Sequence, residues 1–236
     1  MQNNFQILST KKISNSLISL AEKNHICIDQ LDFIETEETV STEIRERIFE
    51  LSKQKVAVIF TSSKAVEAVG KLISAKTCWK IFCIEPTTKK SVENYFENIH
   101  IAGAATNAEG LADTIISDKS VKKVVFFCGN KRRNTLPEKV KNNGIKVEEL
   151  VVYKTIEKPR FVSKTYDGIL FFSPSAVRSF FSLNEIKETT TLFAIGNTTA
   201  EEIKIFTTAK TIITEIPDQE QLILEVIKYF SSIKTL

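Results

Sequence analysis

The sequence predicts an α/β protein of two parallel-sheet domains, one inserted into the other. Three observations carry this. Short apolar runs alternate with amphipathic helical stretches along almost the whole chain, the pattern of parallel strands covered by helices on both faces. One phrase occurs twice: an apolar run, then hydroxyl residues, then at once a helix. It reads Phe60-Thr61-Ser62-Ser63-Lys64-Ala65-Val66 and again Phe172-Ser173-Pro174-Ser175-Ala176-Val177. Two polar stretches, 32–40 and 154–163, interrupt the alternation and read as crossings between domains. The first strands then join the C-terminal half, and the middle of the chain forms the second domain. A single doubly wound domain is the alternative.

Residues 5–8 are a short apolar strand, followed by Ile13, Leu17, Leu20 and Ala21 at helical spacing. Residues 26–28 form a second apolar run. Residues 32–40 are acidic and irregular. Residues 56–60 are continuously apolar, as a strand buried on both faces requires. Ala65, Val66, Val69, Leu72 and Ile73 give the next helix an inner face. Residues 79–84 are a strand, and 86–98 a helix with Pro86 near its start. Residues 99–102 are short and strand-like. Asn107 can cap a helix carrying Leu111, Ala112, Ile115 and Ile116. Residues 123–128 are the next buried strand, broken by Gly129-Asn130. Residues 136–143 are helical and end at Gly144, a C-cap glycine. Residues 146–153 read as a strand, and 154–163, with Pro159, as a return linker. Strands at 168–172, 192–195 and 211–216 precede helices that begin near Pro174, Thr198 and Asp218. Leu222, Ile223, Val226, Ile227 and Phe230 form the inner stripe of the last helix.

Composition narrows the function classes. The chain has 236 residues, enough for two small domains, and a formal net charge of +3, too slight for a strongly basic nucleic-acid binder. Lys131-Arg132-Arg133 is the densest basic cluster, without the interleaved aromatics of a nucleic-acid surface, and reads as a solvated face. No run approaches the roughly 20 apolar residues of a membrane span. Residues 1–4 are polar and 5–8 too short for an export signal, so a cytoplasmic location is expected. Cys27, Cys78, Cys83 and Cys128 show no CxxC spacing and read as reduced, mostly buried thiols. There is no GxGxxG, no GxxxxGK[ST] and no GxSxG. His25 and His100 lie near strand starts or edges, which argues against a histidine base or a His-ligated metal.

Ligands of open α/β sheets bind at the C-terminal ends of strands. The residues to weigh are therefore Thr61-Ser62-Ser63, Cys128-Gly129-Asn130, Ser173-Pro174-Ser175 and Gly196-Asn197-Thr198-Thr199. Taken singly, each is well explained as a helix cap. Recurrence at matching positions in both halves points to anions held by hydroxyls and helix N-terminal N–H groups, facing one ligand.

The chain resembles the uroporphyrinogen-III synthase family over nearly its whole length. The matching stretches are 60–66, Asn107-Ala108-Glu109-Gly110-Leu111-Ala112, Cys128-Gly129-Asn130-Lys131-Arg132, Leu136-Pro137, Gly144, Val152-Tyr153-Lys154-Thr155, Phe172-Ser173-Pro174-Ser175 and 194–200. Their order and spacing carry the resemblance. It implies two flavodoxin- or Rossmann-like α/β domains joined by a two-stranded linker. The expected division is 1–35 plus 160–236 as the discontinuous domain and 40–152 as the inserted one, with linkers near 36–39 and 153–159. The implied activity is a lyase reaction: hydroxymethylbilane, a linear tetrapyrrole, closes to uroporphyrinogen III with inversion of ring D through a spiro intermediate, losing water. No metal and no cofactor is implied.

Residue by residue, the resemblance makes Tyr153 the catalytic candidate, its hydroxyl helping the substrate's terminal hydroxyl depart. It makes Thr61, Ser62, Ser63, Asn130 and Lys131 of one domain, and Ser173, Ser175, Thr198 and Thr199 of the other, binders of substrate carboxylates; Thr106 and Asn107 are secondary candidates. Two positions depart from the family pattern: Thr10-Lys11 stands where many members have Thr-Arg, losing the bidentate fork, and Asn197 where many have proline. A monomer is expected, with hydroxymethylbilane as small-molecule partner, transient contact with hydroxymethylbilane synthase, and neither nucleic acid nor membrane. The competing reading is a non-catalytic, two-lobed cytoplasmic protein that binds a tetrapyrrole or another polycarboxylate.

Overall fold

A computed structural model describes residues 4–73, 76–97 and 99–234. The chain divides into two compact units, Met1–Glu35 with Ile156–Leu236 and, inserted between them in sequence, Thr36–Thr155. Strands β1 (Phe5–Ser9), β2 (Ile26–Gln30), β9 (Gly168–Phe171), β10 (Thr191–Ala194) and β11 (Thr211–Ile213) form the first unit's sheet in the order β11-β10-β9-β1-β2, all pairs parallel. Helices α1 (Asn15–Lys23), α7 (Pro174–Phe181), α8 (Asn197–Phe206) and α9 (Gln219–Lys234) belong to the same unit. Ile7, Leu170 and Phe193 pack with Leu222, Val226 and Phe230 of α9 on one face. Leu8, Ile169, Phe171 and Leu192 pack with Val177, Phe180 and Ile203 of α7 and α8 on the other. Apolar strand side chains thus serve both faces, as a covered parallel sheet demands.

The inserted unit has six strands in the order β3-β8-β7-β4-β5-β6: β3 (Ile34–Glu38), β4 (Ala57–Phe60), β5 (Lys80–Ile84), β6 (His100–Ala105), β7 (Lys123–Gly129) and β8 (Lys146–Glu157). The pairs from β8 to β6 are parallel. Thr39 N–H donates to Val152 O at 3.2 Å and Lys158 N–H to Phe33 O at 2.8 Å, so β3 runs antiparallel to β8. These two strands carry the chain out of and back into the first unit. Helices α2 (Thr42–Ser52), α3 (Ser63–Gly70), α4 (Thr87–Tyr95), α5 (Ala108–Ser117) and α6 (Thr135–Asn142) cover the sheet. Val58, Phe60, Val125 and Phe127 point into one core with Ala65, Val66 and Val69 of α3. Ala57, Ile59, Val124 and Phe126 point into the other with Leu111 and Ile115 of α5. In the first of these cores Phe60 stacks on Phe127 with centroids 5.3 Å apart. Trp79 lies 5.5 Å from Phe127 and donates its indole N–H to Leu51 O at 2.8 Å.

Expectations change at several places, and one helix is new. Residues 32–40 are not irregular: they contain β3, whose acidic, exposed side chains hide its strand character. The stretch 41–55 holds α2, capped by Ser41 through Ile44 N–H and buried only at Ile48 and Leu51. The strand expected to end at Tyr153 continues to Glu157, so the return linker starts later. The inner face assigned to Leu72 and Ile73 lies beyond α3, which stops at Gly70. The fourth helix is found at Thr87–Tyr95; its expected end, Asn98, lies outside the described residues. Gly144 has φ +81°, a left-handed conformation that glycine adopts at no steric cost, after α6.

Glu148 of β8 holds α2 to the sheet. It accepts from Arg47 Nε at 2.7 Å and pairs with Lys123 at 2.6 Å. Arg47 leads in drawing its carboxyl down to about 2 from an ordinary 4.5. A lowered folded value means the contribution is complete above about 4.5 and lost as pH falls toward 2. The melting temperature of Glu148→Gln should therefore lie below wild type at pH 6, and the two should converge by pH 2 to 3 in paired thermal scans. A gap that persists at low pH would show the pair to be irrelevant.

Candidate functional site

In the inserted unit the chemistry gathers where β4 and β7 end, beside Tyr153 within the neighbouring β8. β4 stops at Phe60. Thr61 follows, half-buried, and Ser62 caps α3 from an extended backbone, its Oγ accepting from Lys64 N–H at 3.2 Å. Ser63 is the first residue of α3 and half-buried. The Tyr153 side chain of β8 packs on the side of the sheet that carries α3, near the Ser62 hydroxyl. Burial raises the Tyr153 pKa, the neighbouring Cys128 thiol adds to this, and the Ser62 hydroxyl partly offsets it. The phenol therefore keeps its proton throughout the neutral range and can donate it.

Gly129, the last residue of β7, seats the Tyr153 ring. A Cβ at that position would lie 2.4 Å from Cζ, 2.5 Å from Cε2 and 2.8 Å from the hydroxyl of Tyr153. Asn130 donates its backbone N–H to Tyr153 O at 3.2 Å, and its Oδ1 accepts from Thr155 N–H at 2.8 Å. Lys131 is exposed. Arg132 pairs with Glu149, which also takes Lys141 at 2.8 Å. Burial lifts the Cys128 thiol to about 11, so it is no thiolate nucleophile. Thr106 and Asn107 are exposed, and Asn107 Oδ1 caps α5 through Gly110 N–H at 2.8 Å.

In the first unit the neighbouring strands β1, β9 and β10 end together. Thr10 is buried after β1, its Oγ1 donating to Leu170 O at 2.7 Å. Lys11 is exposed, its Nζ 5.8 Å from the centroid of the Phe172 ring. Ser173 caps α7 by accepting from Ala176 N–H at 3.2 Å. Ser175 is only 6% exposed, and its Oγ accepts from Arg178 at 3.1 Å. Arg178 also meets Glu157 of β8 at 3.2 Å and Glu202 of α8 at 3.0 Å, tying three elements together. The N-terminus of α8 has Gly196 at its cap and no side-chain cap; Asn197 is exposed, Thr198 half-buried and Thr199 buried at 3%.

Thr61, Ser62, Ser63, Asn130 and Lys131 thus stand at adjacent strand ends of one unit beside Tyr153 of β8, and Ser173, Ser175, Thr198 and Thr199 at adjacent strand ends of the other. Sequence reasoning weighed Gly129 only as part of the Cys128-Gly129-Asn130 stretch, and it did not single out Arg178. The signal for Gly129 was its place in the Cys128-Gly129-Asn130 stretch. Nothing in the spacing marks Arg178. Among the described residues, no cluster of His, Cys, Asp and Glu is arranged to hold a metal ion, and no helix is long and apolar enough to cross a membrane.

Comparisons with known proteins agree with one another. The family described as uroporphyrinogen-III synthase HemD matches residues 19–224. A uroporphyrinogen-III synthase of Saccharomyces cerevisiae is 31% identical over an alignment of 117 residues, which spans 42% of each chain. The chain therefore matches less than half the length of that curated relative. Two solved structures share the fold over nearly full length. A uroporphyrinogen III synthase mutant from Thermus thermophilus superposes with TM-score 0.69 at 13% identity, covering 97% of this chain and 99% of its own. A uroporphyrinogen-III synthetase from Helicobacter pylori gives 0.66 at 18%, covering 95% and 99%.

Proposed function

We propose that this chain, which belongs to the uroporphyrinogen-III synthase family, closes hydroxymethylbilane to uroporphyrinogen III with Tyr153 as proton donor. The observation that supports this most is the Tyr153 ring, packed on the α3 side of the sheet against the bare backbone of Gly129. The terminal hydroxyl of the substrate leaves as water when a proton reaches it, and the electrons of the pyrrole expel it to give an azafulvene. The substituted carbon of the last ring attacks that electrophile and forms the spiro intermediate. Fragmentation and reclosure turn the ring over, and loss of a ring proton restores aromaticity. A neutral phenol supplies the first proton and the resulting phenolate can take the last.

The remaining task is to fold the chain so that direct closure to the type I isomer is hindered. The polycarboxylate substrate suits hydroxyls and helix N-terminal N–H groups. In this reading Thr61, Ser63 and Lys131 of the inserted unit and Ser173, Thr198 and Thr199 of the first take its carboxylates. The uncapped start of α8, with Thr198 on its first turn, favours an anion there. The protein is a lyase and a cytoplasmic monomer, and it receives its reactive substrate by transient contact with hydroxymethylbilane synthase.

A coupled assay tests the function. Porphobilinogen and the preceding deaminase generate hydroxymethylbilane with or without this protein, and the oxidised isomers are separated by chromatography. Type III with the protein and type I without it is the expected result. Type I in both would leave a tetrapyrrole-binding protein without catalysis. In the same assay Tyr153→Phe should lower kcat by about 100-fold or more, the lower end of what a general acid contributes, with KM little changed. An unchanged kcat would remove Tyr153 from the chemistry.

A further inference from the structure

We propose that Asn130 is a positioning residue that acts on Tyr153 by clamping a β-bulge, and that it does not contact the substrate. The inference rests on the reading of Tyr153 as proton donor. β7 and β8 run in step from Lys123 opposite Lys146 to Cys128 opposite Val151. The next pair is Gly129 opposite Tyr153. Val152 is thus an extra residue on β8, the signature of a bulge.

The bulge decides which way Tyr153 faces. Successive side chains of a regular strand alternate between faces. Leu150 and Val152 pack into the core shared with Phe60 and α3, and Val151 into the opposite core with Cys128 and Phe126. Strict alternation would send Tyr153 after Val151, away from Ser62. Instead Tyr153 packs on the same side as Val152, in the core that carries α3. Two consecutive residues face one side only because the register slips between them. Gly129 then leaves the space in which the ring lies.

Asn130 fastens β8 immediately after this slip. Its N–H donates to Tyr153 O at 3.2 Å, and its Oδ1 accepts from Thr155 N–H at 2.8 Å, across 25 residues of sequence. β7 has ended at Gly129, so the side chain of Asn130 stands in for the next acceptor that the β7 backbone no longer offers. The side-chain oxygen is turned to the β8 backbone, and with the N–H it braces the strand from the catalytic tyrosine to Thr155.

Substitution separates positioning from substrate contact. Asn130→Asp keeps an oxygen acceptor for Thr155; Asn130→Ala removes it. Asn130→Ala should lower kcat by about tenfold with KM within about twofold, because a displacement of the order of 1 Å at a reacting group is enough for such a loss. Asn130→Asp should restore kcat, and Asn130→Ala should cost nothing further in a Tyr153→Phe background. Fluorine NMR of 3-fluorotyrosine-labelled protein, with Tyr153→Phe assigning the resonance, should show the Tyr153 signal moved in Asn130→Ala and unmoved in Asn130→Asp. Substrate contact would instead raise KM in both, more for Asp because its charge repels the polycarboxylate, and that pattern overturns the proposal. If Asn130→Ala does not fold, Asn130→Asp decides alone: wild-type kcat and KM support positioning, and a raised KM refutes it. Should the wild-type chain form no type III isomer, the functional reading fails. The NMR comparison then still tests the clamp, and an unmoved Tyr153 signal in Asn130→Ala overturns it.

Discussion

Gly129→Val should suppress type III formation by as much as Tyr153→Phe does, about a hundredfold, the low end of what loss of a general acid costs. Even a single methyl at Gly129 would stand 2.4 to 2.8 Å from three atoms of the Tyr153 ring and hydroxyl. Real contacts of that kind do not occur, so the ring or the strand must move. The ring is the easier to displace, since Gly129 is buried at the end of a strand paired to β4 and β8. A displaced ring leaves its seat, and the phenol no longer stands where the leaving hydroxyl needs its proton. Overpacking of this kind also costs about 1 to 3 kcal/mol. The isomer assay and a thermal melt on the same preparation separate the two effects. A variant that melts a few degrees lower yet makes type III isomer at the wild-type rate would show that the ring seat is unimportant. In a Tyr153→Phe background the catalytic part of the loss should vanish while the stability part remains.

The way the sequence yields this site differs from residue to residue. Strands buried on both faces announce themselves: residues 57–60 and 168–171 are wholly buried and wholly apolar. Caps are equally legible, because a hydroxyl or amide before an apolar helix has one local task, and Ser62, Ser173 and Asn107 each perform it through an N–H two or three residues on. Gly144 reads correctly for the same reason. These features depend only on neighbours in sequence.

What could not be read depends on partners far away. β3 has one half-buried residue among five, and its identity as a strand comes from pairing with β8 more than a hundred residues later. The bulge at Val152 exists only relative to β7, and neither strand's own pattern reveals it. Ser175 looks like a site hydroxyl, yet helical phase turns it inward beside Ala176 and Val177, where Arg178 takes it. Asn130 and Ser175 share the lesson that the residue types of an anion site are also those that bind backbone and guanidinium groups. The recurrence of strand, hydroxyl and helix locates the right end of each sheet, while the task of each hydroxyl is set by tertiary geometry.

Phe127→Ala should cost about 3 to 5 kcal/mol, the range for removing a buried aromatic side chain. Phe127 is fully buried and holds the centre of a ring cluster, stacked on Phe60 and packed against Trp79. The cavity cannot close by simple collapse. Phe60 and Phe127 lie on paired strands, and the Trp79 indole is tied to Leu51 O. Such a loss is a large part of the roughly 5 to 15 kcal/mol that separates a folded domain from its unfolded chain, so the variant should be partly unfolded near 37 °C. Denaturant titration followed by the emission of Trp79, the chain's single tryptophan, reads this out directly. The consequence for activity is specific. Phe60 is followed by Thr61 and Ser62, and Phe127 by Cys128 and Gly129, so this cluster sets the heights at which the cap serine and the ring seat leave the sheet. Phe127→Leu, which refills most of the volume, should recover most of the stability and of the type III yield together. A Phe127→Ala loss below about 1 kcal/mol would mean that the neighbours repack freely, and that the strand ends carrying Ser62 and Gly129 are held by their backbone ladders alone.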